Sequence, residues 1–210
     1  KFKSFLSKVD VLQKTNFDIE EIGKPIKINW GKCPLATASF GHGITTTLLQ
    51  LAKAYSIIVN GGYNIQPTLI KEGKKFKKEK ILNEEVSKKI LPILRKIVTT
   101  KEGTASLANV SGYEIGGKTG TAQKSVGGVY TKKKINSFIS VFPTSNPKFV
   151  LAVMLDEPKT NEDYIYHYRD GSNIRYKGTP YNTSGWTTVE VTGQIIEKIG
   201  PILATKYSEK

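Results

Sequence analysis

The chain has 210 residues, 32 basic against 18 acidic, and a formal charge of +14. Its length suits one ordinary domain or a large part of a bigger one, and a hydrophobic fraction of 38% with ten tyrosines suggests a packed core rather than a disordered chain. One cysteine, Cys33, excludes an intrachain disulfide, and no stretch approaches the ~20 apolar residues of a membrane helix.

No signal peptide is visible, and the chain opens at Lys1 directly into helix-like sequence, as a piece of a longer protein would. From Lys1 to Asn16, Phe2, Phe5, Leu6, Val9 and Leu12 fall near helical spacing and predict a surface helix. Phe17 to Trp30 reads as loop, with Gly23 and Pro25 as breakers. Gly41 and Gly43 mark a tight turn around His42, which reads as a turn histidine rather than a base because no acidic or thiol partner lies beside it. Thr45, Thr46 and Thr47 offer N-caps to a helix whose apolar repeat is Leu48, Leu51, Ala52, Tyr55 and Ile58, and Asn60-Gly61-Gly62 closes it. Pro67 to Ile70 reads as a short strand, and Lys71 to Lys80, with six lysines, as an exposed hairpin or loop.

Asn83 can cap a second helix, with Glu84 and Glu85 in its first turn and Val86, Ile90, Leu94 and Ile97 on its buried face. Pro92 should kink or split that helix. A loop from Gly103 to Tyr113 leads into sheet. The strand through Lys118 comes first, then a loop holding Gly127-Gly128 and Lys132 to Lys134, then an alternating strand from Asn136 to Phe142. After the turn Pro143 to Pro147, Phe149 to Leu155 is apolar enough for a central strand and pairs back as an antiparallel hairpin. Asp156 to Ser184 reads as an irregular excursion, a lid or docking loop. Trp186 to Leu203 reads as a terminal helix with Val189, Ile195, Ile196 and Ile199 on its apolar side, interrupted at Gly200-Pro201.

The chemistry concentrates in Gly116-Gly117-Lys118-Thr119-Gly120-Thr121-Ala122-Gln123. A lysine ammonium and a hydroxyl facing a pocket can hold a substrate carboxylate, and a side-chain-free position beside them lets a substrate backbone lie close. Lys-Thr-Gly is one of three motifs of the penicillin-binding and β-lactamase group, beside Ser-x-x-Lys and Ser-Asp-Asn. Other blocks agree with it in order: Phe40-Gly41-His42-Gly43-Ile44 before Leu49-Gln50-Leu51-Ala52, Val59-Asn60-Gly61-Gly62 before Pro67-Thr68-Leu69, Glu102-Gly103-Thr104-Ala105, Asp156-Glu157-Pro158, and Ser184-Gly185-Trp186. As a set, from about Gly31 onward, the chain resembles the C-terminal half of a class B penicillin-binding protein transpeptidase domain, in particular the septal peptidoglycan D,D-transpeptidases of cell division.

The resemblance implies an α+β fold, an antiparallel sheet flanked by helices, forming over 1–210 part of a penicillin-binding transpeptidase or serine β-lactamase-like domain. It implies that Lys118 serves substrate binding and the electrostatics of proton transfer. It implies that Thr119 and Thr121 hydrogen-bond the carboxylate of a substrate or β-lactam. The backbone N–H of Thr121 would be half of an oxyanion hole, and Gly120 would let a peptide add along the strand edge. The partners it implies are peptidoglycan stem peptides, β-lactams and divisome membrane proteins, at the periplasmic face of the bacterial inner membrane. It implies no metal or cofactor, and His42, His167 and Cys33 suggest none.

One departure matters. The sole Ser-x-x-Lys is Ser145-Asn146-Pro147-Lys148, in a proline-bearing turn rather than on a helix, and no Ser-x-Asn occurs. The expectation is therefore a chain that carries one wall of the site, lacks the nucleophile, and is silent alone. The rival readings are the elongation transpeptidase of the same group, a serine β-lactamase or sensor domain, and a basic nucleic-acid-binding module. The last rests on charge only, because the lysines are scattered and aromatic residues are not interleaved with them as stacking platforms.

Overall fold

The computed structural model describes residues 1–20, 23–26, 28–71 and 79–207. The chain divides into two compact units, Lys1–Lys89 and Ile90–Lys210.

In the first unit, α1 (Phe2–Lys8), α2 (Lys32–Ala38) and α3 (Leu48–Val59) are followed by the start of α4 (Glu84–Thr99). Helix α1 stops at Lys8 instead of reaching Asn16, because Asp10 takes a positive φ of 60°. The Asp10 carboxylate is drawn to the buried Lys53 ammonium. Partial burial opposes its charge, but hydrogen bonds from Lys53 and Gln13 hold its carboxyl below the ordinary value. Helix α2 was hidden in the sequence by Pro34, which falls in the first turn where a missing N–H is tolerated.

Helix α3 begins where the threonines predict. Thr47 and Gln50 form a capping box, with the Gln50 N–H donating to Thr47 Oγ1 at 3.2 Å and the Thr47 N–H to Gln50 Oε1 at 2.8 Å. Its buried residues are Gln50, Lys53, Ala54, Ile57 and Val59, not the expected apolar repeat, whose members are half-buried. Two polar side chains reach the interior because each has a partner: Lys53 on Asp10, and Gln50 on the Gln13 carbonyl. Val9, Val11, Ala54 and Ile57 form the local core.

Pro67–Ile70 is not a strand. The Thr68 hydroxyl and the Leu69 N–H both donate to the Asp18 carboxylate, which bends the segment, and the isolated bridge pairs Tyr63 with Lys80 instead. Most of the lysine-rich stretch expected as an exposed hairpin, residues 72–78, lies outside the described residues. Asn83 caps α4 as expected, its Oδ1 accepting the Glu85 N–H at 2.9 Å. The helix runs unbroken through Pro92. Pro92 and Lys88, whose carbonyl loses its helical donor, are both exposed, so water can take that bond. Leu94 and Val98 are buried on this helix, Ile90 and Ile97 half-buried, and Val86 exposed.

The second unit is built on a three-stranded antiparallel sheet, β1 (Gly116–Val126), β2 (Val129–Phe142) and β3 (Phe149–Asp156), in that spatial order. The central strand is β2, so the apolar β3 is an edge among the described residues, contrary to expectation. Lys132 to Lys134 lie within β2 rather than in a loop. Gly127 and Gly128, at φ 60° and 82°, make a tight turn that pairs Val126 with Val129 and extends the hairpin past the lysines. The excursion is partly ordered by a small antiparallel hairpin, β4 (Ile165–His167) with β5 (Arg175–Lys177). Helix α5 (Thr188–Tyr207) passes through Gly200-Pro201 without interruption. Gly200 is there for packing, since a Cβ would lie 2.5 Å from the Tyr113 ring. Leu107, Ile115, Phe138, Phe142, Tyr166, Val189 and Ile196 centre the core between sheet, α5 and excursion. The fold is α+β, an antiparallel sheet flanked by helices, as the sequence predicts.

A buried charge cluster ties the excursion to α5. The Arg169 guanidinium grips Glu190 with two bonds of 2.8 and 2.9 Å and reaches Glu197 at 3.0 Å. It also donates to the carbonyls of Leu107 and His167, each at 3.0 Å. The Arg169 and Glu190 side chains are 6% and 5% exposed, so removing either partner strands a charge away from water. Arg169→Ala should lower unfolding free energy by about 3–5 kcal/mol in urea titration. Lys124→Ala should change little, because its pairs with Asp156 and Glu157 lie at the surface.

Tyr164 belongs to the same cluster, its hydroxyl donating to Glu190 at 3.0 Å. Burial, then the Glu190 charge, pushes its pKa up from 10.0 to about 12. The folded state thus holds a proton that the unfolded chain releases. This stabilisation is fully present below pH 10 and is lost as pH rises toward 12. Tyr164→Phe should flatten the alkaline limb of a melting-temperature profile between those values, and an unchanged slope would refute the linkage.

Candidate functional site

Successive side chains of a strand point to opposite faces. On β1 this separates Thr119 and Thr121 from Lys118 and Gly120. The two threonines line a cleft of about 470 Å³ together with Lys101, Thr104, Ser106, Tyr168, Ser184 and Trp186. One wall is thus the loop after α4, another the edge strand β1, and a third the turn that opens α5.

Hydroxyls dominate this cleft. Thr119 Oγ1 lies 3.0 Å from Thr104 Oγ1, and Thr121 Oγ1 lies 2.9 Å from Ser184 Oγ. The Ser184 N–H donates to Thr121 Oγ1 at 3.0 Å. The turn carrying Ser184 is held from below by the buried Asn136, whose amide donates to Asn182 Oδ1 at 3.0 Å and to Thr187 Oγ1 at 2.9 Å. Asn136 is the register partner of Thr121 across the β1–β2 ladder. Neighbouring strands thus present the hydroxyls and the turn from one rigid frame.

Lys118 is exposed, and its ammonium donates to the Thr119 carbonyl at 2.8 Å, beside the cleft lining rather than in it. Gly120 pairs with Ser137, and a Cβ there would come within 2.8 Å of Ser137 Oγ. A side chain at 120 would therefore displace the Ser137 hydroxyl from its place on the Gly120 carbonyl. The structure brings Thr119 and Thr121 together and sets Lys118 and Gly120 on the other face. Thr104 and Ser184 stand within the sequence blocks, where nothing local marks a role for either. Their signal was a hydroxyl next to glycine at the end of a loop, a pattern without meaning until β1 is placed between them.

The Ser145–Lys148 pair is occupied elsewhere. The Ser145 N–H donates to the Glu114 carboxylate at 3.1 Å, and the Lys148 ammonium donates to the Tyr207 carbonyl at 3.2 Å. The two stand in the β2–β3 turn with no helix to bring amine and hydroxyl together. A separate depression of about 210 Å³ between Tyr113, Phe149, Leu203 and Tyr207 is apolar and holds no acid–base pair. His42 lies in its turn with its ring 5.2 Å from that of Phe40. Among the described residues no three His, Cys, Asp or Glu side chains are grouped to hold a metal.

Comparison with known proteins shows the family. The family model of the penicillin binding protein transpeptidase domain matches residues 1–172, beginning well before the blocks that start near Gly31. The chain is 27% identical to a probable peptidoglycan D,D-transpeptidase, FtsI, of Caulobacter vibrioides, over 98% of this chain and 34% of that protein. It is 38% identical to Stage V sporulation protein D of Bacillus subtilis, over 70% of this chain and 25% of the relative. The apo transpeptidase domain of Burkholderia pseudomallei penicillin-binding protein 3 superposes with a TM-score of 0.76 at 26% identity, covering 98% of this chain and 57% of that one. The chain thus spans about a third or less of the length of these curated relatives. With most of its length matched by that model and its sheet and helices laid out alike, the chain belongs to the penicillin-binding protein transpeptidase family.

Proposed function

We propose that the protein containing this chain is a peptidoglycan D,D-transpeptidase of cell division, and that the hydroxyl-lined cleft beside β1 receives the end of a stem peptide. The observation that carries this reading is the pairing of Thr119 and Thr121 on one face of an edge strand. Two hydroxyls that can turn donors outward suit a terminal carboxylate. The edge of β1, unpaired among the described residues, suits an extended peptide added as a further strand, with its backbone passing Gly120.

In this reading a serine attacks the penultimate D-Ala carbonyl, the terminal D-Ala leaves, and an acceptor amine resolves the acyl-enzyme. Thr119 and Thr121 hold the carboxylate of the leaving residue. The Thr121 N–H is one donor to the tetrahedral oxyanion, a contact typically worth ~3 kcal/mol of barrier. Lys118 supplies positive potential beside β1, where the proton leaves the serine. The serine itself comes from outside these 210 residues, since the sequence holds no helical Ser-x-x-Lys. β-Lactams would acylate the same serine, their carboxylate lying on the same threonines.

The division role is supported by the names of two relatives, FtsI and a sporulation-stage protein. Divisome membrane proteins are then the partners, and the outer face of the cytoplasmic membrane the place of work. Among the described residues no helix is long and apolar enough to cross a membrane.

Intact mass after incubation with a fluorescent penicillin is the first test. The 210-residue chain alone should show no adduct, whereas the full-length protein should show one. An adduct on Ser145 of the isolated chain would overturn the assignment of the nucleophile. In the full-length protein, Thr121→Val should slow acylation by roughly ten- to a hundredfold, as expected for a hydrogen bond to a charged group, and lower the melting temperature modestly because the Ser184 N–H loses its acceptor.

A further inference from the structure

Ser184 is 1% exposed, yet it lines the cleft. Its Oγ lies 2.9 Å from Thr121 Oγ1, 3.3 Å from the Ser137 amide nitrogen, and in hydrogen-bond contact with the Gly120 carbonyl. A hydroxyl has one proton and two acceptor positions. The Ser137 N–H can only donate and the Gly120 carbonyl can only accept, so the remaining freedom of Ser184 is exercised against Thr121.

Two proton arrangements satisfy every group. In one, the Ser184 proton rests on the Gly120 carbonyl and the Thr121 proton turns inward to Ser184, so that the cleft faces an acceptor. In the other, the Ser184 proton turns to Thr121, which already accepts the Ser184 N–H at 3.0 Å, and the Thr121 proton turns outward. The Gly120 carbonyl then keeps the Ser137 hydroxyl, 3.3 Å away. Two donors into one hydroxyl oxygen polarise its own O–H and make it a better donor. A carboxylate and its ester both only accept, but the charged oxygen gains roughly twice as much from a polarised donor, so the carboxylate selects the second arrangement the more strongly.

We propose that Ser184 is a positioning residue that sets the hydrogen-bond polarity of Thr121 and makes the cleft prefer an anionic terminus over its neutral ester or amide. The inference rests on Thr121 being a carboxylate ligand. It adds that the preference is set by a buried serine that need not touch the ligand.

The test measures second-order acylation of the full-length protein by benzylpenicillin and by its methyl ester. Wild type is compared with Ser184→Ala, Ser184→Cys, Thr121→Val and the double variant Ser184→Ala/Thr121→Val. Ser184→Ala should slow the acid by roughly three- to tenfold, the size of one net hydrogen bond, and the ester by less than about twofold. The double variant should be no slower with the acid than Thr121→Val alone, because the serine acts only through the threonine. Ser184→Cys keeps the shape with a weak S–H donor and should narrow the acid-to-ester ratio even if the alanine variant does not fold. Equal slowing of both ligands by the Ser184 variants, or additive losses in the double variant, would overturn the inference and leave Thr121 as the ligand. A Thr121→Val variant with the wild-type ratio would instead overturn the carboxylate reading itself.

Discussion

The second unit depends on a charge kept out of water. Arg169 has three hydrogen-bonding nitrogens, and each is engaged: two on Glu190, one on Glu197, with further bonds to the carbonyls of Leu107, in the 103–113 loop, and of His167 in β4. A guanidinium so enclosed is tolerated only because its partners arrive from three separate segments. Close packing of α5 makes room for it: a Cβ on Gly193 would meet the Leu107 carbonyl at 2.6 Å and the Arg169 guanidinium at 3.0 Å. The loop that carries Thr104, the excursion that carries Tyr168 and the helix that follows Ser184 thereby share one anchor. The cleft is the space those segments leave beside β1.

How much of this could be read from the residues depends on whether a signal is local. The three strands and the β2–β3 hairpin were legible, since alternation and turn residues act over a few positions, and the Thr47 and Asn83 caps were legible for the same reason. What failed was decided by distant partners. Apolar residues on both faces of β3 suggested a central strand, yet a strand's place is set by what lies beside it, and that is not written in its own sequence. Gly200-Pro201 looked like a break in α5, but the glycine answers the Tyr113 ring. Gln50 and Lys53 took buried places on α3 because Gln13 and Asp10, far upstream, were waiting for them.

The candidate site divides along the same line. Lys118, Thr119, Gly120 and Thr121 stood out because four adjacent residues make a motif. Thr104 and Ser184 were silent because their meaning is a distance, 3.0 and 2.9 Å to the two threonines, rather than a spacing. The alternation of β1 adds what adjacency alone does not show: neighbours in sequence face opposite ways, so the lysine and the threonines stand on different faces of the same strand.

The composite origin of the cleft has a thermodynamic corollary. A ligand that bridges walls drawn from the 101–107 loop, β1, Tyr168 and the 183–186 turn favours the state in which all four are docked. Occupancy and resistance to local opening are then reciprocal: whatever loosens the excursion from α5 weakens the ligand by the same coupling free energy that the ligand contributes to holding them together. A substitution at the far side of Arg169, touching nothing in the cleft, would be felt there as lost affinity, and a tight ligand would mask a fold weakened elsewhere.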